Sequence, residues 1–408
     1  VNSDRLPEEK NRGMSIDLGF AYHDLGNGVI LNFIDVPGHE RFINNLLSGF
    51  SNVDLGLLVI AADDGPMPQT EEHLSILQLL QVKNCIIVLT KIDKVNQKRL
   101  NNVCCLIKKM MHKTIFSDAE IFHISNKTSQ GIDNLVSHLK IIALNYHHKE
   151  VKGNFRLSVD RRFLVKGSGI VITGTVVSGE VSVGEELIHS KSGESLKIRA
   201  IHSQSKKSKN GIQGHRCSLN ITGQKITIDK ISRGDWILSK NVFFVTNRLD
   251  AVLSILKNEK KIFKHWTAIH LYLGSGNVTG RIAILGSFSI NPGEKKIVQL
   301  VLDKPVHAVF DDKFVIRDIS SSRTIGGGYI LDPFAKKNKN TNFRSFRSER
   351  IKLISTNSSK IVLNNLLLHY IEGIGLKYFL MSRNLTASEF EKIIEPLDIV
   401  TELYKKHK

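Results

Sequence analysis

The chain has 408 residues, is 41% hydrophobic and carries a formal charge of +18; that length can bury a large core and divides into roughly two to four domains. No run of about eighteen uncharged apolar residues occurs, which excludes a transmembrane helix, and Val1-Asn2-Ser3-Asp4-Arg5 has neither the basic start nor the apolar core of a signal peptide. The four cysteines, Cys85, Cys104, Cys105 and Cys217, form no Cys-x-x-Cys pair, so no disulfide framework or zinc site is indicated and a reducing, cytoplasmic compartment is expected.

The charge is unevenly placed. Residues 1–150 hold 15 Lys and Arg against 17 Asp and Glu, whereas residues 151–408 hold 42 against 22. Nucleic acid is the first partner to expect for the later part; lysine enrichment from a biased genome composition is the alternative.

Residues 1–150 alternate strands and helices. Val29–Ile34, Leu55–Ala62 and Cys85–Leu89 are nearly continuous apolar runs, as in strands covered on both faces. Glu71–Gln81 has helical spacing, with Leu74, Leu77 and Leu80 along one side. This alternation predicts a parallel α/β sheet. Beyond Lys152-Gly153, short β-branched segments broken by Gly continue to about Asp332 and predict β-barrels. A boundary near Lys240–Val245 divides them in two, and Lys206–Gly211 reads as a basic loop. Ala335–Thr341 reads as a polar linker. After it the pattern turns helical: Thr386–Glu389 is a capping box with Leu385 and Phe390 placed for a staple, and Pro396 ends or kinks that helix.

Three short motifs follow predicted strands of the first part. Asp35-Val36-Pro37-Gly38-His39 offers a carboxylate for magnesium, a glycine that lets a backbone N–H approach a γ-phosphate, and a histidine beside the attacking water. Thr90-Lys91-Ile92-Asp93 offers an aspartate that accepts from N1–H and the 2-amino group of guanine, and a lysine stem to cover the base. Ser125-Asn126-Lys127 adds a loop near the guanine oxygen. Alone, the Asp-x-x-Gly motif is more often an ordinary turn, and Thr-Lys-x-Asp is a weak signal. Three in this order at the carboxyl ends of strands indicate a guanine-nucleotide site.

Asp4–Lys10, Arg12–Asp17, Asp35–Phe42 and Ala62–Gly65 resemble translational GTPases. Ile16-Asp17-Leu18-Gly19-Phe20, Met67-Pro68-Gln69-Thr70 and Thr90–Asp93 look most like the selenocysteine-specific elongation factors, as do Val159-Asp160-Arg161, Gly174–Gly179 and Arg323–Gly328. Motif support covers residues 2–333. The resemblance implies an α/β GTPase domain over 1–150, two β-barrels over 151–241 and 242–334, and a linker with a small helical, winged-helix-like segment over 335–408. The family's phosphate-binding loop, Gly-x-x-x-x-Gly-Lys-Ser/Thr, is expected upstream of Val1, and further winged helices beyond Lys408.

It further implies GTP and Mg2+, with Ser15 as the hydroxyl on magnesium, Asp35 as a carboxylate that holds the ion through water, and His39 as the catalytic, water-positioning residue. Asp35, Gly38, Thr90, Lys91, Asp93, Ser125 and Asn126 then bind nucleotide. Asp160, Arg161 and Arg216 form the pocket for the aminoacyl end of selenocysteinyl-tRNA, whose selenolate suits fixed guanidinium forks. Two substitutions depart from the family: Ser15 stands for Thr, and Ser125-Asn126 for Ser-Ala. The implied protein is a monomeric, cytoplasmic GTPase that delivers selenocysteinyl-tRNA to the ribosome at recoded UGA codons, its C-terminal region reading a selenoprotein mRNA hairpin. Another elongation or initiation factor of the same build, and a non-hydrolysing RNA-binding remnant, are the alternatives.

Overall fold

The structure is a computed structural model that describes residues 9, 15–26, 29–39, 42–49, 53–146, 150–337, 350–370 and 374–395. The motif residues Asp4–Glu8, Lys10, Arg12–Met14, Glu40 and Arg41 lie outside these, as do His147-His148, Asn338–Thr341 and Pro396.

Strands Leu55–Ala61, Asn84–Thr90 and Ile121–His123 form a parallel sheet in that order. Helices Pro68–Leu79, Gln97–Met111 and Ile132–Leu144 connect and follow them. Pro68 opens the first of these at the position where a missing N–H costs nothing. Asn96 caps the second by accepting from the Arg99 N–H at 2.9 Å. Leu58, Ile60, Ile87 and Leu89 from the sheet pack on Val103 and Ile107 from that second helix.

Val29–Asp35 departs from the expectation of a strand in this parallel sheet. Among the described residues its hydrogen-bonded partner is Gly19–Gly26, antiparallel, with Gly19 opposite Asp35. Leu31 and Phe33 pack near Ile86 and Val88, yet every residue of Val29–Ile34 stays half-buried. A continuous apolar run does not distinguish that setting from a fully covered strand.

Seven strands between Arg156 and Leu238 form a sheet that closes where Ser195–Ser203 pairs with Glu186–His189. Leu157, Val159, Ile172, Val176 and Leu219 fill its interior. The expected loop Lys206–Gly211 is instead strand: Lys206–Ser208 pairs with Ile201–Ser203, and Asn210–Ile212 with Glu180–Ser182. The turn lies earlier, at Gln204 and Ser205, which both adopt positive φ; neither residue type advertises such a turn.

Six strands from Thr246 to Asp332 close a second barrel around Leu249, Leu253, Ile269, Leu271, Ile282, Leu300 and Phe314. Its last strand, Thr324–Asp332, shows why Gly326-Gly327-Gly328 carries no side chains. A Cβ at Gly328 would lie 1.8 Å from the Val252 carbonyl oxygen, and one at Gly327 2.6 Å from that of Phe314.

Helices Ser359–His369, Leu376–Ser382 and Ala387–Ile394 pack around Val362, Leu363, Leu366, Phe379 and Phe390. No strand occurs among the described residues of 350–395. The Thr386 capping box forms as expected: Glu389 N–H donates to Thr386 Oγ1 at 3.2 Å and Thr386 N–H to Glu389 Oε2 at 2.8 Å. Asn384 ties this unit to the first barrel, accepting from the Asn154 N–H at 3.1 Å and donating to Ser178 Oγ at 2.8 Å.

The α/β unit rests on the second barrel through Ile43, Leu46, Leu47 and Ile76 against Tyr272 and Val315. Beside that contact, buried Arg317 donates to Glu72 Oε1 at 2.6 Å, and Thr324 Oγ1 donates to the same oxygen at 2.8 Å. The two barrels meet at Arg156, which donates to both oxygens of Asp312 and, through Nε at 2.9 Å, to His307 Nε2. Because Nε2 accepts, His307 carries its proton on Nδ1 and donates it to the Phe244 carbonyl at 3.0 Å.

Burial, and then the Arg156 charge, hold the His307 pKa well below 6.5, against a raising effect from the Phe244 hydrogen bond. Above pH 6.5 the imidazole is neutral folded or unfolded and this group adds no pH dependence. Below it the unfolded chain takes up a proton that the folded chain refuses, so stability falls with pH, by at most about 1.4 kcal/mol per unit. Melting curves of the parent and His307→Gln between pH 7.5 and 5.5 are expected to converge as pH falls. Parallel curves would remove His307 as a source of the acid sensitivity.

Candidate functional site

The carboxyl ends of the parallel strands gather the first group of residues. Thr90 ends its strand and its carbonyl accepts from the Ala62 N–H at 2.9 Å. Lys91 takes a left-handed backbone (φ 57°) that starts the turn Ile92–Lys94. Its ammonium sits 3.2 Å from Asp63 and 3.7 Å from Asp64, which fixes the end of the side chain expected to cover the base.

Asp93 accepts from Ser125 Oγ at 2.6 Å, and that hydroxyl accepts in turn from the Thr128 N–H at 3.2 Å. The Ser125 hydrogen bond holds the Asp93 carboxyl below the usual range, so it stays an ionised acceptor. Asn126 is exposed beside it. Gly131 closes this loop: its positive φ brings it under the His123 carbonyl, where a Cβ would lie 2.1 Å away. Thr90, Lys91, Asp93, Ser125 and Asn126 are therefore brought together from two loops.

The second group lies at the end of strand Val29–Asp35. Ser15 Oγ donates to Asp35 Oδ2 at 3.5 Å. Gly38 has open space where a Cβ would be. His39 is exposed, with its ring 6.2 Å from that of Phe42. A hydroxyl and a carboxylate are hard oxygen donors that fit Mg2+, an ion that keeps waters and phosphate oxygens as its other ligands. Among the described residues no cluster of three or more His, Cys, Asp or Glu is present.

The third group lies between the first barrel and the α/β unit. Arg216 and Asp160, both buried, form a two-point pair at 2.8 and 3.0 Å, and Thr173 Oγ1 donates to the same carboxylate. The Arg216 guanidinium stacks 3.8 Å from the ring centre of Phe20, a geometry worth about 0.5–2 kcal/mol.

Arg161 points the other way. It meets Asp17 at 2.8 Å and donates to the Leu18 carbonyl. Arg233 approaches the same Asp17 at 3.6 Å and donates to Asn45 Oδ1 at 2.7 Å. Asp160, Arg161, Arg162, Phe163, Ser232 and Arg233 line a cavity of about 400 Å³. Asp160 thus holds Arg216, while Arg161 is held from the α/β side. Sequence reasoning does not single out Asp17, Phe20 or Arg233 as site residues. The first two lie inside the motif Ile16–Phe20, whereas Arg233 is 72 positions beyond Arg161, with no sequence periodicity to link them.

The segment Ser15–Phe20 therefore reaches the expected phosphate side through Ser15 and the arginine cluster through Asp17, Leu18 and Phe20. Residues 1–144 match the model of the elongation factor Tu GTP binding domain, and residues 250–337 that of the beta-barrel domain of selenocysteine-specific elongation factor.

The selenocysteine-specific elongation factor of Escherichia coli (strain K12) is 38% identical over 331 residues, 81% of this chain and 52% of that protein. The one from Haemophilus influenzae is 34% identical over 97% of this chain and 61% of its own length. The chain belongs to the selenocysteine-specific elongation factor family. It spans about half to three fifths of the length of these relatives.

Among solved structures, a bacterial selenocysteine-specific elongation factor superposes with a TM-score of 0.80 at 29% identity, covering 95% of this chain and 63% of the other. The factor from Methanococcus maripaludis, in complex with the GTP analogue GppNHp, gives 0.68 at 26% identity, over 81% and 75%. A GTPase domain followed by β-barrels and a helical segment is the fold of the chain. No helix among the described residues is long and apolar enough to cross a membrane.

Proposed function

We propose that this chain is the tRNA-carrying part of a GTP-dependent factor that delivers selenocysteinyl-tRNA to the ribosome at recoded UGA codons. The observation that carries the reading is the contact of Asp17 and Phe20 with Arg161 and Arg216, two to five residues along the chain from Ser15. Guanine is read by Asp93, with Thr90, Lys91, Ser125 and Asn126 around the base and Gly38 near the γ-phosphate. Ser15 and Asp35 hold Mg2+, which neutralises phosphate charge when bound.

Asp160 fixes the fork of Arg216, and Arg161 and Arg216 receive the aminoacyl end. The selenolate is anionic near neutral pH, so two guanidinium groups favour it over a neutral hydroxyl. The working division is 1–150, 151–241, 242–334 and 335–408, the last contributing to recognition of a selenoprotein mRNA hairpin. The factor acts as a cytoplasmic monomer. The test is whether selenocysteinyl-tRNA binds the protein more tightly with a nonhydrolysable GTP analogue than with GDP; equal affinity in both states would sink the reading.

His39 positions the attacking water on the ribosome. A group that acts mainly in the transition state changes turnover rather than binding. His39→Ala is expected to leave GTP affinity unchanged and to slow ribosome-stimulated hydrolysis at least about tenfold. Single-turnover rates equal to those of the parent would remove His39 from catalysis.

A further inference from the structure

The second barrel exposes an aromatic group that neither the nucleotide site nor the arginine cluster uses. Phe288 is 80% exposed and Trp266 46%. The His265 ring lies between them, near-parallel to Trp266 at 6.2 Å and edge-on to Phe288 at 6.3 Å.

The backbone holds this group in place. Strand Phe263–Lys264 pairs with Ser289–Ile290, and the His265 N–H donates to the Phe288 carbonyl at 2.8 Å. Ile284 N–H donates to His265 Nδ1 at 3.1 Å, which fixes the imidazole ring. Trp266 itself has φ +66°, a region that bulky residues rarely occupy and that glycine would occupy without strain. Its N–H is nevertheless held by the Ile282 carbonyl at 2.7 Å. The fold thus keeps a large indole at a glycine-like position and leaves it facing water.

Two cations are held beside the rings. Arg281 donates to the Trp266 carbonyl at 3.2 Å, and Lys296 to Ser287 Oγ and the Ser289 carbonyl at 3.1 and 3.0 Å, on either side of Phe288. Lys257, Lys260, Lys261, Lys264 and Lys295 are exposed nearby in sequence. Both carboxylates of the segment 257–296 are engaged: Glu259 is paired with Arg323, and Glu294 accepts from Asn291 and lies 3.8 Å from Lys296.

We propose that this surface binds single-stranded RNA, with unpaired bases stacking on Trp266 and Phe288 and phosphates following Arg281, Lys264, Lys261 and Lys260. Aromatic faces accept any base, and the cationic surround supplies a salt-dependent attraction to the backbone. The proposal is independent of which amino acid the arginine cluster receives.

Trp266 is one of two tryptophans, and the other, Trp236, is buried, so fluorescence reports on the surface directly. A short single-stranded oligoadenylate titrated into the full chain is expected to quench emission, with affinity that falls as salt rises. By anisotropy of a dye-labelled oligoadenylate, which needs no tryptophan reporter, Trp266→Gly and Phe288→Ala are each expected to weaken binding about five- to a hundredfold, the loss of one stacked base. Trp266→Gly is also expected to melt no lower than the parent, because glycine suits the left-handed backbone. Equal binding by parent and variants overturns the proposal. So does equal quenching by duplex RNA or inorganic polyphosphate, which would reduce the surface to an electrostatic one. A Trp266→Gly protein that melts well below the parent would assign the indole to packing instead.

Discussion

Replacing Arg161 with alanine is expected to weaken selenocysteinyl-tRNA about ten- to a hundredfold while leaving the same tRNA charged with serine nearly unaffected. Both forms share the RNA, so phosphate contacts cancel in the comparison and only the side chain differs. A charge-assisted contact in a partly desolvated pocket is worth roughly 1.5–3 kcal/mol, which sets that range. Arg161 is the cleaner probe of the two arginines proposed for the pocket because its side chain is 28% exposed and bridges to Asp17, itself 27% exposed. Its loss leaves no fully buried charge behind.

Arg216 is different. It is the buried partner of Asp160, so Arg216→Ala strands a carboxylate whose other contact is Thr173. Lost folding stability then mixes with lost recognition. Asp160→Asn keeps the shape and loosens the Arg216 fork, and a milder loss in the same direction is expected. The measurement is a dissociation constant for each tRNA form at fixed salt with a nonhydrolysable GTP analogue. Equal losses for the selenocysteine and serine forms on Arg161→Ala would place that arginine on the RNA backbone, and the case for amino-acid discrimination would lose its main support.

Much of this arrangement is legible in the residues because local rules and tertiary structure agree there. The parallel strands, the Thr386 capping box and the change from helix-and-strand to strand texture after Gly153 each follow from periodicity and punctuation. That the loops Thr90–Asp93 and Ser125–Lys127 meet is legible for a similar reason, since each follows a strand of the same parallel sheet. What escapes is of two kinds, local pairings that composition does not announce and contacts between distant segments. Val29–Asp35 has the apolar content of a covered strand, yet pairs antiparallel with Gly19–Gly26. Lys206–Ser208 has a loop's composition, but its turn is made by Gln204 and Ser205 in left-handed conformations that their residue types do not announce. Arg233 joins the arginine cluster only because the turn after Ile228–Lys230 folds back toward Asp17.

The junction of the two barrels is also invisible in the sequence, because Arg156 lies 151 positions from His307 and 156 from Asp312. Substituting Arg156 alone with methionine is expected to cost about 3–5 kcal/mol of folding stability, since Asp312 and neutral His307 then lose the charge that they face. Arg156 is only 2% exposed and Asp312 13%, so water cannot easily replace the missing guanidinium. The Trp236 ring, whose centre is 4.7 Å from that guanidinium, would meet the methionine without a clash of polarity.

The penalty comes from isolation rather than from the intrinsic worth of the pair, which gives a sharper expectation for the double change. Arg156→Met with Asp312→Leu removes both charges and keeps the volume, and it should recover most of the loss, as apolar replacement of buried pairs often does. Denaturant melts of the parent, both single variants and the double variant complete a cycle whose coupling should exceed about 1 kcal/mol. Additive losses in that cycle would mean that the two side chains act independently and that Arg156 is held mainly by Trp236. A stable but uncharged junction has a further use. It preserves the contact between barrels while removing its polar geometry. Selenocysteinyl-tRNA binding in the double variant then reports whether Arg161 and the Glu72–Arg317 contact need the barrels fixed at one angle, or only held together.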